Sequence, residues 1–233
     1  TPNPKPQTPN PKPQTPEHFT QPTLNLIISI TRMKLVALTT AGLNPMDNKV
    51  YLFTRVVDDD RFGFFEKGSV HDVLKFFSRE TLLNLKKGQR YSIAHEEYNV
   101  HVQVSERDMF AVYAFADKDY PRRVAYKCVD EALNEFQTTV GEGWKQKKDE
   151  KIPVPKFNAI FTKYKDATKV DALTMANLKV DETQAVLVDN IKTLLSRQEN
   201  IDDMVQKSED LSLKTKIFYK NTEKMNKKCC TLI

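Results

Sequence analysis

Two adjacent cysteines, Cys229 and Cys230, followed by Thr231, Leu232 and Ile233, are the residues of this sequence best suited to covalent change. Cys230 with the three residues after it fits a prenylation box, in which the cysteine sulfur takes an isoprenoid thioether and the last three residues are removed. A terminal isoleucine leaves farnesyl against geranylgeranyl open. Cys229 stands free for a second lipid, palmitoyl or a second prenyl. One lipid chain holds a protein to a bilayer only marginally, whereas two chains, or one chain beside a basic stretch, hold it stably. Lys214, Lys216, Lys220, Lys224, Lys227 and Lys228 precede the pair, with Glu223 the one acid among them. Each lysine near an anionic leaflet contributes about 1 kcal/mol.

Other chemistry is poorly served. The remaining cysteine, Cys128, reads as a small buried hydrophobe, and three cysteines without a CxxC pair build neither a disulfide framework nor a zinc site. The implied compartment is reducing and faces the cytosol. His18, His71, His95 and His101 show no metal spacing, and His95 and His101 are expected at the surface of a hairpin. Gly63 to Ser69 has the outer spacing of a phosphate loop but lacks its lysine, so nucleotide binding is not expected. No nucleophile, base and oxyanion set emerges, so the reading is no catalysis, no cofactor and no metal.

The second chemically telling residue is Arg197. Steps of three and four from it trace one seam: Leu173, Ala176, Val180, Thr183, Leu187, Asn190 and Leu194 before it, and Ile201, Met204, Ser208, Leu211, Thr215, Phe218, Thr222 and Met225 after it. A 3.5-residue apolar repeat implies a left-handed supercoil with partner helices. Thr183, Asn190, Ser208, Thr215 and Thr222 weaken it for self-association. A guanidinium in a dry seam costs several kcal/mol unless acceptors satisfy it, on the order seen for buried ions, and arginine does not escape by losing its proton. Partner helices must therefore bring neutral acceptors such as glutamine carbonyls to that layer. The bland alternative is an ordinary helix with Arg197 in solvent.

These residues need a scaffold. Residues 1–32 carry TPNPKPQ twice and are expected to form an extended Pro-rich tail, disordered or upstream of a start at Met33. From Met33 the pattern is strand (33–40), turn, strand (49–57), then a helix with Ser69 as its N-cap and Val70, Val73, Leu74, Phe77 and Leu82 on one face. Three short strands follow at 90–95, 100–105 and 109–115. A second helix then starts at Pro121, buries Val124, Cys128, Leu133 and Phe136, and stops near Gly141. The order implies an α+β domain over 33–142 with helices covering a five-stranded, mostly antiparallel sheet. Residues 143–163 read as a Lys-rich linker punctuated by Pro153 and Pro155, 164–226 as the coiled-coil segment, and 227–233 as the lipidated tail.

The bulk properties agree with a protein that is not integral to a membrane. The chain has 233 residues, 29% charged, and a net charge of +5. Its mean hydropathy is −0.55. No run of 18 apolar residues exists in the sequence, and Leu24–Ile30 is too short and lacks the flanks of a secretory signal. Lys145 to Lys151 reads as solvated linker, so no nucleic-acid partner is expected.

The stretch VDETQAVLVDNIKTLLSRQENIDDMVQKSEDL at 180–211 resembles the core of an R-SNARE of the synaptobrevin class. The resemblance places Arg197 in the central layer, facing three glutamines from Q-SNARE helices, with Asn190, Ile201 and Met204 in neighbouring layers. MKLVAL at 33–38, FGFFEKGSV at 62–70 and DKDYPRRVAY at 117–126 are similar to the longin (profilin-like) domain of the YKT-type R-SNAREs, which lack a transmembrane helix. The resemblance covers 33–233. It implies membrane fusion in vesicle-mediated transport and disassembly by the SNARE recycling machinery. It also implies cycling between cytosol and the cytoplasmic face of Golgi, ER, endosomal or vacuolar membranes. A longin groove that closes over the lipid or the SNARE segment would include Phe76, which a one-residue slip would exchange for Phe77. Phe62, Phe64 and Phe65 form a second aromatic cluster. The alternatives are a prenylated regulatory enzyme, a GTPase or an acyltransferase, and a membrane-tethered structural coiled coil.

Overall fold

The computed structural model describes residues 33–62, 67–95, 98–149, 152–170, 185–195 and 201–217. The strands are β1 (Leu35–Asn44), β2 (Lys49–Val57), β3 (Arg90–His95), β4 (Tyr98–Val104), β5 (Phe110–Asp117) and β6 (Ala185–Val188). The α-helices are α1 (Lys67–Leu82), α2 (Arg122–Val140), α3 (Phe157–Tyr164), α4 (Ile191–Leu195) and α5 (Ile201–Lys207). They build one sheet in the order β2-β1-β5-β4-β3-β6. The first five strands pair antiparallel, as expected, whereas β6 adds in parallel to β3.

Both sheet faces are covered, and the period of two in the strands sorts the side chains between them. In β5, Phe110, Val112, Ala114 and Ala116 join the core under α2 and α3, while Ala111, Tyr113 and Phe115 join the core under α1. Val100, Val102 and Val104 of β4 share the α1 face, the alternation read from the sequence. β1 slips register against β2 between Thr39 and Ala41, and there the Thr54 N–H donates to the Thr40 hydroxyl at 2.9 Å. The bulge thus satisfies an amide that the ladder leaves over.

Several expectations change. The helix expected to be capped by Ser69 already includes it, since α1 runs from Lys67, and Ser69 is buried in the first turn. β1 continues through Gly42 to Asn44 rather than turning near Thr40. Residues 143–163 are not a free linker. Trp144 packs against Phe53 and Phe110 with ring centroids 5.6 and 5.4 Å apart, and Phe157, Ile160, Phe161 and Tyr164 bury one side of α3 in the α2-side core. Lysines on the outside of this stretch hid its apolar anchors. His101 is fully buried instead of surface-exposed, because β4 lies inside the sheet with α2 across it. The heptad segment, expected to be helical with partner helices, takes another form in the lone chain: 185–188 is strand, followed by the short helices α4 and α5. A parallel ladder with an otherwise open edge strand outcompetes local helix formation there, and it adds the sixth strand.

Candidate functional site

The site is the surface on which residues 185–195 and 201–217 lie, and it starts from an edge and a helix. β3 would be the edge of the sheet, with unpaired backbone groups. β6 covers it, setting Ala185, Val186, Leu187 and Val188 beside Arg90, Tyr91, Ser92 and Ile93. Asn190, two residues past the strand, caps α4: its Oδ1 accepts the Lys192 N–H at 2.9 Å and its carbonyl accepts from the Thr193 N–H. The side chain expected as a layer residue therefore acts here as an Asx cap.

The chain then descends over the α1 face. Ile191, Leu195, Val205 and Leu211 are buried in the same cluster as Leu74, Phe76, Phe77, Ile93 and Phe115. Burying each such side chain stabilises the docked state by about 1.5–3 kcal/mol before ordering costs. Phe76 is 6% exposed and Phe77 4% exposed, and the Phe77 ring meets Phe115 of β5 edge-on at 5.3 Å. Phe62 packs half-buried against this cluster; Phe64 and Phe65 lie outside the described residues.

A polar stripe on α1 fixes the register of the segment. Asp72, Lys75 and Arg79 follow one another at spacings of three and four, hence on one side of the helix. Asp72 Oδ2 accepts from the Thr215 hydroxyl at 2.8 Å and from the Ser212 N–H at 3.3 Å. Ser212 Oγ in turn accepts the Thr215 N–H at 3.2 Å and so caps the helical turn at 213–217. Arg79 pairs with both Asp210 and Asp149, and Lys75 Nζ lies 3.1 Å from Asp210 and 3.0 Å from Asp149. One pair of cations thus clamps both the docked segment and the strap at residue 149. Burial alone would lower the Arg79 pKa, but its bonds to Asp210 and Asp149 outweigh that and raise it. Burial pushes the Asp149 carboxyl up, and the Leu52 N–H, Lys75 and Arg79 more than reverse it, so it ends below its ordinary value. Both groups hold their charges at neutral pH.

On the opposite face, His101 Nδ1 and Ser92 Oγ lie 2.7 Å apart, and Ser92 Oγ and the Tyr126 hydroxyl 2.6 Å apart. Burial, with a smaller push from Arg122, lowers the His101 pKa to about 4. Burial raises the Cys128 thiol far above its ordinary value, which removes it as a nucleophile.

Of the seam residues, Leu187 is exposed, Leu194, Met204 and Ser208 are half-buried, and Leu211 and Thr215 are buried. Leu173, Ala176, Val180, Thr183, Arg197, Phe218, Thr222 and Met225 lie outside the described residues, as do Cys229, Cys230 and the Ile201 side chain. Sequence reasoning missed the stripe Asp72, Lys75 and Arg79 and its partners Asp149 and Asp210. It also missed Ile191, Leu195 and Val205. The readable signal was apolar residues sitting one step off the seam. Among the described residues no helix is long and apolar enough to cross a membrane, and no group of side chains is arranged to hold a metal.

Comparison with known proteins matches residues 61–161 to the longin model, a regulated-SNARE-like domain, and residues 172–232 to the synaptobrevin model. VAMP-like protein YKT61 of Arabidopsis thaliana is 33% identical over 202 residues, covering 86% of this chain and 100% of that protein. Synaptobrevin homolog YKT6 of Candida glabrata is 33% identical over 190 residues, covering 80% and 92%. Synaptobrevin homolog ykt6 of Schizosaccharomyces pombe is 30% identical over 200 residues, covering 86% and 100%.

Proposed function

The chain belongs to the YKT6-type longin R-SNAREs, and from that premise we propose that its closed form is the resting state of a lipid-anchored fusion protein. As an R-SNARE it acts in vesicle fusion by pairing with SNARE partners in a helical bundle. The observation that carries the closed-state reading is that residues 185–195 and 201–217 lie on the longin domain through β6, the α1-side core and the Asp72–Arg79 stripe.

In the bundle, residues 164–226 would zip with three Q-SNARE helices, with Arg197 in the central layer facing their glutamine carbonyls. A single polar layer of this kind fixes register and rejects wrong partners. The SNARE disassembly machinery would then recycle it. Cys230 would carry the prenyl group and Cys229 a palmitoyl or second prenyl group. The lysines before them would add attraction to an anionic leaflet. A singly lipidated chain would cycle between cytosol and membrane, and a doubly lipidated one would stay on the cytoplasmic face of Golgi, ER, endosomal or vacuolar membranes. Phe76 would act as a groove residue of closure, since it shares its cluster with Ile191, Leu195 and Val205. The role is binding and mechanical work, without catalysis.

The test is the full chain mixed with three Q-SNARE helices, followed by gel filtration and circular dichroism. Helix content should rise and a four-component complex should form. Arg197→Leu should leave the longin domain folded and change bundle disassembly. Identical bundle stability and disassembly with leucine would refute the central-layer role. Homodimers of the chain alone would favour the structural coiled coil.

A further inference from the structure

Among the described residues between 185 and 205, the seam is the less buried face of the docked segment. The seam residues Leu187 and Asn190 are exposed, with Leu187 at 57%, and Leu194 and Met204 are half-buried at the margin of the α1-side core. The residue immediately after each is the more buried one: Val188 is half-buried and packed on the core, and Ile191, Leu195 and Val205 are 2, 4 and 1% exposed. Past residue 208 the offset vanishes, for Leu211 and Thr215 belong to the seam and are 5 and 0% exposed.

One residue is about 100° of rotation on a helix. In a bundle whose layers hold Leu187, Asn190, Leu194 and Arg197, positions 188 and 195 stand on the outer side, and 191 and 205 flank the core. A leucine at 195 has no use there, because its side chain would face water. In the closed chain it is buried beside the α1-side core.

Resting on the R-SNARE reading above, we propose that Leu195, supported by Ile191 and Val205, is a closure-specific residue. It selects the docked state and contributes nothing to the layers. The carboxyl-terminal half works differently. Leu211 and Thr215 serve both states, so every contact there must be surrendered before the bundle can form. Closure is therefore separable from zippering by truncating Leu195, whereas truncating an apolar side chain that serves both states, such as Leu211, weakens both.

The experiment uses the full chain with Leu195→Ala, the bundle comparator Leu194→Ala, and the dual-role comparator Leu211→Ala. Alanine keeps helix propensity, so the bundle is not weakened through the backbone. Amide exchange at Arg90–Ile93 and at 185–217 reads closure, and thermal melting of the complex with three Q-SNARE helices reads the layers. For Leu195→Ala, exchange should rise by about tenfold or more, the order expected when a buried leucine is truncated. Its bundle should melt as the wild type does. Leu194→Ala should lower bundle melting, and Leu211→Ala should both speed exchange and lower melting. Leu195→Glu should repeat the Leu195→Ala pattern more strongly, since an outward position accepts a carboxylate. Unchanged exchange in Leu195→Ala, or bundle melting lowered as far as in Leu194→Ala, would overturn the proposal. A wild-type chain that forms no bundle overturns the R-SNARE reading and the proposal together, and it shows before any substitution is made.

Discussion

The Asp72 carboxylate and the Thr215 hydroxyl, 143 residues apart in the chain, are joined by a hydrogen bond of 2.8 Å. Thr215 also belongs to the proposed seam, so one side chain would link the closed state to the fusion layers. Thr215→Val removes the donor but keeps shape, and a hydrogen bond to a charged group contributes about 1.5–3 kcal/mol. Limited proteolysis within 185–217 should speed up roughly tenfold. Bundle melting should hold or rise, because valine suits an apolar layer. Proteolysis at the wild-type rate would show that the hydroxyl does not hold the segment.

Arg79 is the second lock, and its partners predict a rescue. Arg79→Ala should weaken docking on the order of 2 kcal/mol, between the exposed-pair and buried-pair limits. It should loosen the strap at Asp149 together with the segment at Asp210. Arg79→Asp should open the chain further, and adding Asp210→Arg should partly restore closure. Amide exchange checks all three, and a double variant no more closed than Arg79→Asp alone would argue against direct pairing. Asp149 is depressed when folded, so its tie is present above the ordinary carboxylate range and lost as pH falls through its folded value.

His101 gives a pH dependence with the opposite physical origin. Its folded value is about 4 against 6.5 for the free side chain, because burial disfavours the charged ring. The unfolded chain therefore binds the extra proton first. The stabilisation is fully present above pH 6.5 and is lost as pH falls from there toward 4. The loss amounts to about 3 kcal/mol, from about 1.4 kcal/mol per unit. Denaturant titrations of His101→Asn should show lower stability at pH 7 and a flatter profile between pH 6.5 and 4. Parallel profiles for both proteins would assign the acid sensitivity elsewhere.

Gly42 carries a steric prediction. A Cβ there would sit 2.6 Å from Trp144 Cζ3 and 3.1 Å from Phe110 Cδ2. Gly42→Ala should destabilise the longin domain by about 1–3 kcal/mol, the range for overpacking. Trp144 is the one tryptophan in the sequence, so its fluorescence reports the displacement directly. Unchanged emission and stability would mean that the strap moves aside freely.

Much of the longin scaffold was legible because its signals are local. Val100, Val102 and Val104 alternate, Pro121 begins α2 and Gly141 ends it, and Cys128 lies on the buried stripe. The docked segment was not legible, for a physical reason. Residues 185–188 form a strand only because β3 supplies a parallel ladder, and no local pattern encodes that partner. The heptad pattern describes only the proposed bundle, so Leu195 and Val205, one step off the seam, were passed over. Trp144 and Phe157 were hidden by the lysines around them, and His101 by the assumption that a hairpin faces water.

The strand at 185–188 has a consequence for length. Extended chain in a parallel ladder advances about 3.3 Å per residue. Helix advances 1.5 Å. Joining the bundle as helix would shorten these four residues from about 13 Å to about 6 Å, while β3 loses the neighbour that completes its edge. Peeling away would therefore be a contraction as well as a release, and the length it takes up would have to come from the flanking chain.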